Sequence, residues 1–147
     1  MTDMADTLEN RLLLLLFNNT TFANVGDATG LVGSTVAGSL YVSLHTSDPG
    51  EAGSQTTNEC AYTSYARVAV ARSGAGWTVS TNTVTNAAQV QFPQATGGSE
   101  TATHFGVGTA SSGAGQLLFK SALDSSLAIS TGVQPTFAAG AIDGSLD

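Results

Sequence analysis

The sequence predicts a mainly β protein: an antiparallel β-sandwich or jelly-roll-like domain with an α-helix at its N-terminus. Three observations predict it. Apolar residues recur at helical spacing near the start of the chain. From Ser39 onward the apolar period changes to two, the period of a strand with one buried face. Turn-forming clusters, "DPG", "SGAG", "GG" and "SSGAG", separate the alternating runs, as they do between short antiparallel strands.

Residues 3 to 18 read as the helix. Thr2 or Asp3 can cap it, and Asp3, Asp6 and Glu9 place negative charge where the helix dipole favours it. Met4, Leu8, Leu12, Leu15 and Leu16 share one face, and Leu13, Leu14 and Phe17 widen the apolar surface. A helix end that is apolar almost all round is buried on more than one side. Its second partner is either a neighbouring subunit or the domain's own core. "NNTTFANVGDATG" then reads as a loop.

The strands follow in order. "SLYVSLH" sets Leu40, Val42 and Leu44 against Ser39, Tyr41 and Ser43. "YARVAVAR" sets Ala66, Val68 and Val70 against Arg67 and Ala69, and "WTVS" with "NTV" reads as a short hairpin. "AAQVQFP" sets Ala88, Val90 and Phe92 against Gln89 and Gln91, and "ATHFGVGT" sets Thr103, Phe105 and Val107 on one face. "GQLLFKSAL", "SLAIS" and "VQPTFAAGAI" complete the set. "GVGTASSGAG" lies between two strands and reads as a hairpin loop, and Gly50 to Cys60 reads as the long, mobile connection.

The chain has 147 residues, the size of one domain. Residues 1–20 form its helix and 21–147 its β-sandwich. Only 10 % of the residues are charged, against roughly 25 % in an ordinary soluble domain. With 41 % apolar residues in patterned runs, the low charge does not imply disorder. Gly, Ser and Thr fill much of the remainder, a hydroxyl-rich surface suited to dense assemblies.

Four basic against eleven acidic residues give a net charge of −7. Arg11, Arg67, Arg72 and Lys120 do not cluster. Nucleic acid needs cations along its phosphates, and anionic membranes need basic patches, so neither is an expected partner. The run Leu12–Phe17 is only six residues, far short of the ~20 that span a bilayer. The acids before it do not fit a signal peptide, so the protein is expected to be soluble and uncleaved.

The inventory for catalysis is thin. "LHTSDPGEAG", Leu44 to Gly53, concentrates His45, Asp48 and Glu51. Metal binding needs three or four converging ligands, and a spacing of three and three on a turn does not assure convergence. The plainer reading makes His45 the last strand residue and Glu51 a solvated charge. Asp48 then opens a turn, its side chain bonding the backbone two residues on, with Pro49 and Gly50 at the centre. His104 lies opposite Phe105 in the alternation and suits a sheet or subunit contact. The lone cysteine, Cys60, allows no internal disulfide and has no nucleophile motif around it. Trp77 suits a core or interface anchor. There is no G-x-S-x-G elbow, and no phosphate-binding glycine loop precedes a helix. The expectation is no enzyme, with no catalytic, cofactor-binding or metal-binding residue and no cofactor.

The succession of a leucine-rich helix, "LYVSLHTSDPGEAG", "YARVAVAR", "VQFPQATGGSETATHFGVGTASSGAGQLLFKSAL" and "PTFAAGAI" resembles a family of small virion proteins of tailed bacteriophages. The resemblance runs from about Leu8 to Ile142. It implies a structural role in the virion, assembled in the bacterial host cytoplasm. The first expectation is a capsid decoration (cement) protein, a homotrimer seated on the major capsid protein or other virion proteins. The alternative is a tail or tail-fibre component, including one that binds a receptor or carbohydrate, with Tyr41, Tyr62, Tyr65 and Trp77 gathered at an exposed tip. In either case Thr46 to Gly53 is the expected contact with a neighbouring virion protein.

Overall fold

The computed structural model describes residues 4–146. These hold one helix, α1 (Asp6–Asn18), and nine strands. The strands are β1 (Ser39–His45), β2 (Val68–Ala71), β3 (Trp77–Ser80), β4 (Thr83–Asn86), β5 (Val90–Gln91), β6 (Ser99–Gly108), β7 (Leu117–Ser130), β8 (Thr136–Phe137) and β9 (Asp143–Ser145). The protein is mainly β, with antiparallel pairing and an N-terminal helix. The chain forms two compact units: Met1–Ser39, Ala71–Gln89 and Phe137–Asp147 make one, and Leu40–Val70 with Val90–Thr136 makes the other.

In the helical unit, α1 begins at Asp6, three residues later than the periodicity predicts. The candidate caps Thr2 and Asp3 lie outside the described residues. Ala5 takes the cap position in an extended conformation and offers no side-chain bond. The buried stripe is Glu9, Leu13 and Phe17, not the predicted face. Leu8 is exposed, and Leu12, Leu15 and Leu16 are half-buried. Five consecutive leucines leave the inward face undecided by apolarity alone. The choice falls on the face that brings Phe17 edge-on to Trp77, with ring centroids 4.9 Å apart. Aromatic edge contacts add to simple burial.

The end of α1 is closed from a distance. Asn19 adopts a left-handed conformation, φ 55°, common just past a helix. The Arg72 guanidinium then donates to Leu16 O (2.6 Å), Leu15 O (2.7 Å) and Ala37 O (3.1 Å). A cation there meets both the open carbonyls and the negative end of the dipole.

β3 and β4 form the predicted hairpin, with Trp77 opposite Asn86 and Ser80 opposite Thr83. β9 adds to the far edge of β4. Asn86, 1 % exposed, holds the closing segment. Its amide donates to Ala88 O and Ala138 O and accepts from Ile142 N. A buried amide with all these bonds made is stabilising, whereas a half-satisfied one is not.

The second unit is built on a sheet ordered β2-β1-β6-β7. Val42 pairs with Val107 and Leu44 with Phe105, so the predicted apolar face of β1 meets that of β6. "GQLLFKSAL" and "SLAIS" are one strand, β7, and not two. Its register against β6 jumps from His104↔Ala122 to Ala102↔Leu127. This bulge at a sheet edge kinks the long strand and blunts the edge against foreign pairing. "AAQVQFP" shrinks to Val90–Gln91, paired with Thr136–Phe137. Pro93 lacks the N–H needed to continue that ladder.

Candidate functional site

The opening candidate, Leu44 to Gly53, begins at the end of β1. The connection 46–67 folds back along that strand. Thr46 N donates to Asn58 O, Cys60 N donates to Leu44 O, and His45 bridges to Glu59. It is no free loop, contrary to the reading of a mobile Gly50–Cys60. Gln55 is fully buried in it. Its amide donates to Tyr41 O and accepts from Ala110 N, and its backbone N donates to Ala114 O. The connection and the 109–116 hairpin loop are therefore locked together.

Residues with a strand period of two share a face, so Ser43 and His45 point the same way. His45 Nδ1 lies 2.9 Å from Thr57 O and Nε2 lies 2.9 Å from Ser43 Oγ. A carbonyl only accepts, so Nδ1 carries the proton and Ser43 donates to Nε2. This is the hydrogen-bond logic of a serine activated by a histidine base. The setting is different. Ser43 and His45 have no exposed surface. A Cβ on Gly106 would stand 2.8 Å from His45 Nε2 and 3.0 Å from Ser43 Oγ. The pair packs directly on a glycine backbone, with no room there for a substrate carbonyl. Burial also holds the imidazole pKa below its ordinary value, opposed by the Thr57 carbonyl and the Glu59 charge. Ser43 escaped the sequence reading, although the S-x-H spacing on a strand was its signal.

His45, Asp48 and Glu51 do not converge. Among the described residues no three His, Cys, Asp or Glu side chains are grouped to hold a metal. Asp48 Oδ1 accepts from Gly50 N at 2.8 Å, the bond that the Asp-Pro-Gly turn calls for, and Gly50 has φ 74°. Lys120 Nζ lies 3.0 Å from the same carboxylate. The Gly50 amide, then Lys120, holds the Asp48 pKa below the usual carboxylate range. Glu51 is exposed. Gly50 and Glu51 border an open groove of about 360 Å³, whose other wall is Leu117 to Lys120 on β7. Thr46, Ser47, Asp48, Glu51 and Ala52 are exposed and only Pro49 is buried in this stretch.

The strongest polar cluster was missed in the sequence. Arg67 Nε and Nη2 grip the Glu59 carboxylate at 2.6 and 2.8 Å. Nη1 donates to Ala110 O and Nη2 also to Gly113 O. Tyr65 OH donates to Glu59 and accepts from Leu44 N. The Arg67 side chain is only 2 % exposed. Such a forked pair is geometrically specific, and here it clamps the hairpin loop to the end of β1. Tyr65 is stacked on Phe92 and edge-on to Tyr62. Burial pushes the Tyr65 hydroxyl far up and the Tyr62 hydroxyl up to about 12.

These tyrosines correct the expectation of an aromatic tip. Tyr62 is buried, Tyr41 and Tyr65 are half-buried, and Trp77 is buried in the other unit. Cys60 is buried, and desolvation, with Glu100 beside it, pushes its thiol up to about 12. Glu100 accepts from Ala61 N and Tyr62 N. His104 is half-buried opposite His45, with Nδ1 2.8 Å from Thr103 Oγ1. His45, Gln55, Tyr65, Arg67 and Glu100 are engaged in holding chain segments together, whereas Glu51 is exposed and the buried Trp77 indole N–H makes no hydrogen bond.

No curated protein matches the sequence. A family model described as "Podophage GP4 fiber I protein gp80" matches residues 3–145, nearly the whole chain. The chain therefore belongs to this family of tailed-phage virion structural proteins.

Proposed function

We propose that the protein is a fibre or tail component of a phage particle, with a structural and not a catalytic role. The observation that carries this is the family match over residues 3–145, whose description names a fibre. It favours the tail-fibre alternative over the capsid-decoration expectation. The buried Ser43–His45 pair and the Glu59–Arg67 clamp support a scaffold whose polar chemistry is spent on its own rigidity. Contacts to other virion proteins run through the exposed turn at Thr46 to Gly53 and the groove beside Leu117–Lys120. Repeated modest contacts of this kind gain strength from multiplicity. Assembly in the host cytoplasm and a homotrimeric state are parts of the same proposal. Gold-labelled antibody against the chain is expected to mark the tail of purified particles. Label confined to the head would replace the fibre reading with the decoration reading, and unlabelled particles would remove both.

A further inference from the structure

One buried imidazole ties the connection 46–67 to the end of β1. His45 Nδ1 donates to Thr57 O and Nε2 accepts from Ser43 Oγ, both at 2.9 Å. The Thr57 hydroxyl in turn accepts from Ser54 N, and Ser54 is bridged to Gln116. Gln55, beside it, carries the bonds to the 109–116 loop. Ring, connection and loop thus form one continuous run of contacts. The exposed turn at Thr46 to Gly53 belongs to the same connection.

This arrangement suits only the neutral ring, because a protonated ring donates from both nitrogens. Ser43 Oγ must then accept from Nε2 and turn its own hydrogen to Gly106 O. That oxygen lies 3.4 Å away, at the weak end of the hydrogen-bond range. The charges facing the ring give a cation little help. Glu59, on the connection, favours it, but its carboxylate is already bound by Arg67 and Tyr65. Arg67, and His104 across the β1–β6 pair, oppose it. Asp48, which acts on His104, is paired with Lys120. A buried charge without its own partner is costly, so water must reach the ring. The sheet side cannot yield, since a Cβ on Gly106 would stand 2.8 Å from Nε2. The other side is the connection, which holds no helix or strand between β1 and β2. It is the side that can lift.

We propose that His45 is an acid-sensitive latch: when its ring takes up a proton, the 46–67 connection lifts from β1 and loosens the 109–116 loop, while α1 and the β3–β4 hairpin stay folded. The latch acts whichever part of a particle the chain occupies. Burial keeps the ring of the closed form from binding the proton as readily as a solvated one, so acid favours the open form by mass action. For a ring of ordinary affinity once open, opening rises by up to about tenfold between pH 7.5 and 5.5.

Cys60 supplies the probe. It is the one cysteine of the chain, it is buried, and its backbone N donates to Leu44 O, so lifting the connection uncovers its thiol. The experiment follows modification of Cys60 by dithiodipyridine in the full chain at pH 7.5 and 5.5. Each rate is divided by that of glutathione at the same pH, because the thiolate share falls in acid. The normalised rate is expected to rise several-fold at pH 5.5 in wild type and in His104→Gln, and to stay level in His45→Gln. Hydrogen exchange of wild type, corrected for intrinsic rates, gives a second reading that needs no variant. The amides of Thr46, Gln55 and Cys60 are expected to lose protection in acid, and those of Leu13 and Val84 to keep it. A level wild-type rate overturns the proposal. So does a rise that persists in His45→Gln or vanishes in His104→Gln, or a loss of protection spread equally over both units.

Discussion

At the scale of single residues, Arg67 and His45 set the behaviour of the sheet unit. Arg67 lies buried between Glu59 and two loop carbonyls. Removing one partner of a buried pair strands the other charge, at a cost of about 3–5 kcal/mol. Arg67→Ala is therefore expected to lower unfolding stability by that order in urea titrations. Arg67→Lys, which keeps the charge but loses the fork, should fall between it and wild type. His45 gives a pH dependence of definite sign. Burial depresses its folded pKa below the ordinary 6.5, so the unfolded chain binds the proton more readily. Stability is then complete above pH 6.5 and declines as the pH falls below it, until the folded pKa is reached. Thermal melts of wild type and His45→Gln across pH 7.5 to 5 check this. The wild-type midpoint should drop the more steeply, and parallel slopes would refute the assignment.

At the scale of elements, the helix and the β1–β6 pair each depend on a residue far away in the chain. Arg72 closes α1 from 56 residues downstream. Arg72→Ala removes a charged donor from several carbonyls, and hydrogen bonds of that class contribute about 1.5–3 kcal/mol. A loss of that order is expected, with fraying of the last helical turn seen by hydrogen exchange at Leu16 to Asn18. Gly106 in β6 faces Leu117, His45 and Ser43. Gly106→Ala is expected to destabilise by about 1–3 kcal/mol through overpacking, read by chemical denaturation. The same elements show what was legible in the sequence. Period-two alternation located β1, β2, the β3–β4 hairpin and β6, because one buried face imposes that pattern. It did not reveal the inward stripe of α1, since a run of leucines looks alike on all sides. It did not join the two halves of β7 either, because a bulge breaks the alternation that marks a single strand. At the candidate site the Asp48 turn was legible from local chemistry, being made within three residues. The Arg67–Glu59 clamp was not. Its carbonyl partners lie more than 40 residues away, and nothing local marks an arginine as inward-facing.

At the scale of the whole molecule, the two units are each assembled from separated pieces of chain, which crosses between them four times. The boundary residues Ser39, Ala71 and Phe137 belong to strands β1, β2 and β8. Neither unit is a contiguous fragment, so both are expected to unfold together. The aromatic residues provide the measurement. The single tryptophan, Trp77, lies in one unit, and all three tyrosines, Tyr41, Tyr62 and Tyr65, lie in the other. Tryptophan fluorescence and tyrosine near-ultraviolet dichroism should give coincident denaturation midpoints, and two separated midpoints would show independent units. The pairing of β4 with β9 has a further consequence for the newborn chain. α1 leaves the ribosome before β3 and β4, and their sheet gains its third strand only when Asp143–Ser145 have emerged. The leucine helix and the apolar loop behind it therefore wait until residues 39–145 have also been made before their unit can close. Its exposed apolar side chains stay on an unfinished fold until then, which makes this the interval in which chaperones matter most.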